Sequence, residues 1–278
     1  MISPTCIVAE IGINHNGSVE LAAELIHAAV WAGADAVKFQ KRTVDVVYSQ
    51  KELARSRESP FGTTNRDLKF GLEFGSSDYE VITKCCAGHG IPWFASAWDV
   101  GSVSFLENFN VPCYKVASAC ITDLSLLHAI NDLEKPVIIS TGMSTLKQVH
   151  EALQMFDRNQ PITLLVCTST YPAEVSELNL SRIHTLMEEF PGATIGYSGH
   201  EVGILTTLCA VAMGAEVIER HFTLDSSMWG SDQAASLEPK AFKKLVEEIR
   251  TFEEAFGDGE LRVLESELPV LEKLRRFK

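Results

Sequence analysis

Two short segments carry residue types able to do chemistry: Glu219-Arg220-His221 and Ser198-Gly199-His200. Each ends an apolar run, so each delivers an imidazole to the exit of an expected β-strand. In the run from Val217 to Phe222, the two-residue period of a strand puts Glu219 and His221 on one face. An inward glutamate and histidine are costly to bury unless a ligand, a metal or an opposite charge compensates them. Two histidines from adjacent strands can hold a divalent cation and leave positions open for substrate and water. Either histidine taken singly also fits a hydrogen-bonded core residue.

A repeated strand-and-helix plan would bring these segments together. Continuous, β-branched runs recur at Cys6–Ile11, Ala36–Phe39, Pro92–Ala95, Cys113–Ala117, Pro136–Ser140, Ile162–Cys167, Thr194–Tyr197 and Ala215–Phe222, as in parallel strands covered on both faces. Amphipathic helical stretches lie between them at Val19–Trp31, Asp78–His89, Leu146–Phe156, Ser181–Glu189 and Val202–Met213. Gly33 and Gly214 each return a helix to a strand, a common helix C-terminal device. Strand-and-helix units of this number and spacing match an α/β fold of the (β/α)8 TIM-barrel type, one domain over residues 1–256. A doubly wound open sheet is the rival, weakened because no Gly-x-Gly-x-x-Gly follows the first strand. The segment between Gln40 and Ser77 lacks strong periodicity and reads as a long β2–α2 loop forming a lid over the barrel mouth. A helix near Pro239–Phe256 closes the barrel, and residues 257–278 read as a charged helical extension.

The chain has 278 residues, 46% of them hydrophobic, and a net charge of −13. That charge argues against a nucleic-acid or anionic-membrane surface, and an anionic substrate would need its few cations gathered locally. Seven cysteines without a CxxC pair suggest neither a disulfide framework nor a structural zinc site. No apolar stretch reaches the ~18 residues of a membrane span, so a soluble, cytoplasmic protein is expected.

Barrel chemistry sits at the C-terminal ends of strands, and that rule serves as a sieve. The first strand ends in Glu10, followed by Asn14; the second carries Lys38 and Gln40 on one face. Lys115 and Ser118 follow in the fourth, Ser140 in the fifth, Thr168 and Tyr171 after the sixth. Ser198 and His200 end the seventh, Glu219 and His221 the eighth, with Asp225 beyond. Internal ion pairs such as Lys38 with Glu10 explain some of these residues but not all of them together. Two lysines and several hydroxyls suit a phosphate and a carboxylate, and Glu10 and Glu219 are candidate proton-transfer groups. A Schiff-base use of Lys38 or Lys115 is the alternative, and it leaves the histidine pair without a role.

These motifs resemble those of the sialic acid synthase family, the N-acetylneuraminate synthase type. The likeness is carried by Ala9-Glu-Ile-Gly-Ile-Asn-His-Asn-Gly17, Val37-Lys-Phe-Gln40, Tyr114-Lys-Val-Ala-Ser118 and Ile139-Ser-Thr-Gly-Met143. Cys167-Thr-Ser-Thr-Tyr-Pro172, Tyr197-Ser-Gly-His200, Ile218-Glu-Arg-His-Phe-Thr-Leu-Asp225 and Ala235-Ser-Leu-Glu-Pro239 complete it in family order. The resemblance implies condensation of phosphoenolpyruvate with an aldose, such as an N-acetylated hexosamine, to give a nonulosonic 2-keto-3-deoxy sugar acid and phosphate. It implies a divalent metal, Mn2+ or Mg2+, on His200 and His221. Lys38, Lys115, Ser118, Ser140 and Ser198 would hold phosphoenolpyruvate, while Glu10, Tyr171 and Glu219 would face the acceptor and reacting centre. Catalytic roles thus fall to Glu10, Glu219, Lys38 and Lys115, with Asn14, Gln40, Thr168 and Asp225 as further substrate contacts. A homodimer is compatible with this reading; nucleic acid and membrane partners are not.

Departures from the family pattern gather on the acceptor side. Gly199 stands where a carboxylate is usual beside the metal, and Ser231-Asp232-Gln233-Ala234 lacks a usual histidine and lysine. Family members continue into an antifreeze-like C-terminal domain, whereas here the barrel alone is expected. A related synthase acting on a smaller aldose, or a non-catalytic sugar- or phosphate-binding barrel, are the competing readings.

Overall fold

β-branched and small apolar residues run together in stretches short enough for strands, and such stretches bury both faces. In the computed structural model, which describes residues 4–277, they form β1 (Cys6–Gly12), β2 (Ala36–Lys41), β3 (Ser56–Ser59), β4 (Gly62–Thr64) and β5 (Trp93–Ala97). Next come β6 (Tyr114–Val116), β7 (Val137–Ser140), β8 (Ile162–Cys167), β9 (Thr194–Gly199) and β10 (Val217–His221). Eight of these strands close a barrel in the order β1-β10-β9-β8-β7-β6-β5-β2. All ladders in it are parallel, and helices wrap the outside. The fold is the expected (β/α)8 barrel; the open sheet is excluded by closure of β1 on both β2 and β10.

Helices Val19–Trp31 and Pro239–Phe256 have the expected bounds. Two crossovers, Val100–Glu107 and Leu124–Asn131, hold helices that the periodicity did not reveal, because eight residues give barely two turns of pattern. The helix expected from Val202 starts instead at Leu205, after a turn in which Gly203 adopts φ +90°. Only Glu265–Glu267 and Leu268–Leu274 of the extension are helical, and nearly all of it is exposed. Residues 1–3 and 278, counted above in the barrel and the extension, lie outside the described residues. Among the described residues no helix is long and apolar enough to cross a membrane.

The segment after β2, expected as a long loop forming a lid, is built of short regular elements. It contains helices Val44–Val47, Gln50–Leu53 and Asn65–Leu72 and the β3–β4 hairpin. Each element is too short to show clear periodicity, yet two of the helices are locally specified. Ser49 caps one helix, and Thr64 with Asp67 forms a capping box on another. The hairpin tip, Phe61, seats where a Cβ on Gly71 would overlap its ring and one on Gly17 would approach to 2.9 Å. It also meets Trp229, beyond β10, edge-on at 6.3 Å. The excursion is therefore folded against the rim, spanning from the loop after β1 to the loop after β10.

Gly71 lies within a helix, where alanine ordinarily stabilises by about 0.5–1 kcal/mol. Overpacking against Phe61 costs about 1–3 kcal/mol and should win. Gly71→Ala is expected to speed limited proteolysis within residues 55–64 while thermal melting of the barrel shifts little. Unchanged cleavage would show that the ring is not seated on this glycine.

Candidate active site

Strand alternation turns Glu10, Lys38, Lys115, Ser198 and Glu219 toward the barrel axis. Register places Glu10 beside both Lys38 and His221, Ser198 beside Glu219, and Ser96 beside Lys115. The β1–β2 register shifts between Glu10 and Gly12, where Gly12 adopts φ +54°. A Cβ there would stand 2.9 Å from Glu10 Oε1, so glycine lets the carboxylate fold over its own strand end.

These side chains form a continuous buried network. Lys38 Nζ lies 3.0 Å from Glu10 Oε2 and 3.5 Å from Glu219 Oε2, and it donates to Ser96 Oγ at 3.0 Å. Lys115 Nζ donates to Ser140 Oγ at 2.7 Å and approaches Glu219 Oε1 at 3.4 Å. Ser198 donates to the same Glu219 oxygen at 3.0 Å, and Gln40 donates to Glu10 Oε1 at 2.7 Å. Burial alone would raise the Glu219 carboxyl, but Lys115, Lys38 and His221 together pull it below the usual range. Burial would lower Lys38, yet Glu10 and Glu219 hold it above its ordinary value. For Lys115 burial wins, and the ammonium is held less firmly despite Glu219.

His200 and His221 stand together with ring centroids 5.5 Å apart, and Tyr171 stacks on His200 at 4.1 Å. Nδ1 of His200 lies 2.6 Å from the Thr168 carbonyl, which fixes it as the protonated nitrogen and leaves Nε2 with a lone pair. Burial, then the neighbouring His221, pushes His200 down to about 3, so the ring is neutral near pH 7. Nδ1 of His221 is buried without a hydrogen-bond partner, and the Asp232 carboxylate stays 3.9 Å away. The Nε2 lone pair of His200, beside a His221 ring whose Nδ1 has no partner, fits a divalent cation. Among the described residues no cluster of three His, Cys, Asp or Glu offers one a fuller ligand set. Further ligands would have to be hydroxyl, water or substrate oxygens. Imidazole nitrogens suit a transition ion, whereas Mg2+ favours oxygen and keeps its waters.

A second feature sits at the ends of β7 and β8. A Cβ on Gly142 would overlap Ser169 Oγ and come within 2.8 Å of Ser118 Oγ, so only glycine lets these hydroxyls crowd in. Ser118 Oγ accepts from the Gly142 N–H at 3.1 Å, while Ser169 Oγ is buried without a partner. Hydroxyls beside Lys115 make a nook suited to an oxyanion. The ion-paired network, the histidine pair and this nook all line one cavity of about 160 Å³ at the C-terminal ends of the strands.

The chain matches the NeuB family model over residues 25–261. The chain belongs to the NeuB family. Over 284 residues it is 38% identical to the N,N'-diacetyllegionaminic acid synthase of Legionella pneumophila, covering 99% of this chain and 80% of that protein. It is likewise 38% identical over 276 residues to the human N-acetylneuraminate-9-phosphate synthase, covering 98% and 76%. The crystal structure of N-acetylneuraminic acid synthetase from Leptospira borgpetersenii superposes with a TM-score of 0.86 at 33% identity, covering 99% of this chain and 94% of that one. The sialic acid synthase likeness therefore holds along the barrel, and this NeuB chain is an enzyme of that synthase type.

Within the NeuB barrel, Glu10, Lys38, Gln40, Lys115, Ser118, Ser140, Tyr171, Ser198, His200, Glu219 and His221 all line the cavity. Three expected contacts do not. Asn14 is buried beside the site, its amide donating to the Phe222 carbonyl and to Ser236 Oγ, so it ties two loops together. Thr168 turns its hydroxyl outward to the Glu177 carbonyl and Arg182, although its own carbonyl holds His200. Asp225 is exposed and caps Ser227. All three lie beyond a strand end, where two-residue alternation no longer governs direction. The reading missed Ser96 and Trp98 and gave no role to Met143 and Ser169, all of which also line the cavity. Ser96 and Trp98 stand at the end of β5, the one strand whose end was not sieved. Trp98 Nε1 is buried without a partner, and Arg42 stacks on its ring at 4.6 Å.

His15 is also buried, stacked on Phe74 at 3.9 Å, and burial followed by the Arg42 charge lowers it to about 3. Once unfolded, His15 and His200 take up protons below their ordinary 6.5, which the folded chain refuses until about 3. Stability should fall as pH drops through that window, by ~2 kcal/mol per imidazole at pH 5. Urea midpoints at pH 7 and pH 5 measure this, and His15→Gln should flatten the difference. An equal difference in that variant would remove His15 from the account.

Proposed function

We propose that this NeuB chain condenses phosphoenolpyruvate with an aldose, an N-acetylated hexosamine by preference, giving a nonulosonic 2-keto-3-deoxy sugar acid and phosphate. The observation that carries the reading is that two wholly buried lysines converge on Glu219 in the cavity that also holds the histidine pair. Buried ammoniums bracketed by serine hydroxyls recognise a phosphate and a carboxylate on one small molecule. The relatives' names, which specify acetylated acids, support the choice of acceptor.

In this reading Lys115, Ser140, Ser118 and Ser169 take the phosphate, and Lys38 with Ser96 takes the carboxylate. A divalent cation held by His200 and His221 would supply Lewis-acid polarisation of the acceptor aldehyde. Tyr171, stacked on His200, closes the acceptor side of the cavity. The methylene carbon of phosphoenolpyruvate forms the new bond to the aldehyde carbon. Water then adds to the adjacent carbon, and the carbon–oxygen bond to phosphate breaks, leaving the keto group. Glu10 and Glu219 stabilise the positive charge that develops before water adds. Glu219 is a poor base while both lysines lean on it. A phosphate drawing Lys115 away, and a carboxylate drawing Lys38 away, relieve that depression and let Glu219 take the proton from water.

Incubation with phosphoenolpyruvate, Mn2+ and a panel of N-acetylated hexosamines and smaller aldoses should release phosphate and yield a product whose mass identifies the acceptor. Folded protein that releases no phosphate with any acceptor would sink the proposal; phosphoenolpyruvate binding by calorimetry without turnover would favour a sensor. Lys115→Ala should lower kcat/KM for phosphoenolpyruvate by about 10²- to 10³-fold. His221→Ala should abolish turnover and cation binding with the barrel intact, and activity surviving in chelator would refute the cation site.

A further inference from the structure

Between β9 and β10 the strand ladder stops one residue short of both histidines. The last paired residues are Arg220 and Gly199, so His200 and the turn after it have no ladder partner on β10. Arg220 supplies the missing bonds from the outer face of the barrel, where strand alternation directs it. It is fully buried, and its Nη2 donates to the Glu201 carbonyl at 2.6 Å. Its Nη1 donates to the Gly203 carbonyl at 2.8 Å, to Thr207 Oγ1 at 2.7 Å and to Glu201 Oε1 at 3.1 Å.

The Glu201 carboxylate is likewise fully buried and accepts from Tyr197, Thr206 and Thr207 at 2.8–2.9 Å. Gly199 makes room for the pair: a Cβ there would lie 2.8 Å from Glu201 Oε2 and 2.9 Å from Arg220 Cδ. A carboxylate thus does stand against Gly199, but it comes from Glu201 and faces away from the cavity.

We propose that the Arg220–Glu201 pair is a positioning device that sets the spacing of His200 and His221 for a divalent cation. The side chain adjacent to one histidine grips the backbone that follows the other, across the gap where the ladder ends. This rests on the reading that the two imidazoles hold a cation. Arg220 and Glu201 touch neither cation nor substrate; they act through the backbone that carries the histidines.

A buried ion pair replaced by apolar residues of similar volume often leaves stability nearly unchanged. The double variant Arg220→Met, Glu201→Leu therefore separates positioning from folding. Mn2+ affinity is read by electron paramagnetic resonance without substrates, alongside thermal melting. The double variant should melt within a few degrees of the parent and bind Mn2+ about 10- to 100-fold more weakly. Thr207→Val, which removes only the hydroxyl shared by the pair, should shift affinity the same way by a smaller factor, and it serves if the double variant does not fold. Parent-like Mn2+ affinity in either folded variant overturns the proposal. A parent protein that binds no Mn2+ overturns the cation reading and the positioning role with it.

Discussion

Two ammoniums and two carboxylates occupy the core of this barrel, and each needs the others. Transferring any one of them from water alone would cost several kcal/mol. Lys38 is shared between Glu10 and Glu219, and Glu219 between Lys38 and Lys115, so the charges form a chain rather than separate pairs. The serines at 96, 140 and 198 satisfy what the ion pairs leave open. The rest of the architecture follows from keeping this chain of charge dry and aligned. Strand register sets the neighbours, Gly12 lets Glu10 fold inward, and the helices exclude water from outside.

Under the proposed function, the compensated network would also let an acidic protein accept a polyanion. Its lysines carry their counter-charges within the cavity, and in that reading an entering phosphate and carboxylate would compete with Glu10 and Glu219 for them. Such an exchange of partners needs no movement of the barrel. It alters which groups are free to move protons at the moment the cavity fills.

Much of this was legible in the chain because barrel strands obey a strict two-residue rule. Polar residues in phase at the ends of apolar runs could be assigned an inward direction, and eight such residues line one cavity, joined by three from beyond strand ends. Past the strand the rule no longer decides direction: Ser118, Tyr171 and His200 still reach the cavity, but others do not. Asn14, Thr168 and Asp225 were read as though alternation continued, whereas loop backbone turned each one aside. Ser96 was missed for a different reason: a small hydroxyl between two alanines leaves hardly any contrast in a hydropathy pattern. The Arg220–Glu201 pair was invisible to the sieve because it faces outward, and its partners are brought together only by the ladder's end. The helices of the excursion after β2 were missed because four to eight residues carry little measurable period, although caps were readable in Ser49 and in Thr64 with Asp67.

The seating of Phe61 bears on how the rim moves. An aromatic ring filling the space that two glycines leave has no neighbouring position of similar energy to slide into. Close-packed contacts of this sort are bistable rather than elastic. Since the same ring meets Trp229 on the loop after β10, next to β1, parting the rim there means unplugging a peg, a switch between two positions rather than a gradual stretch.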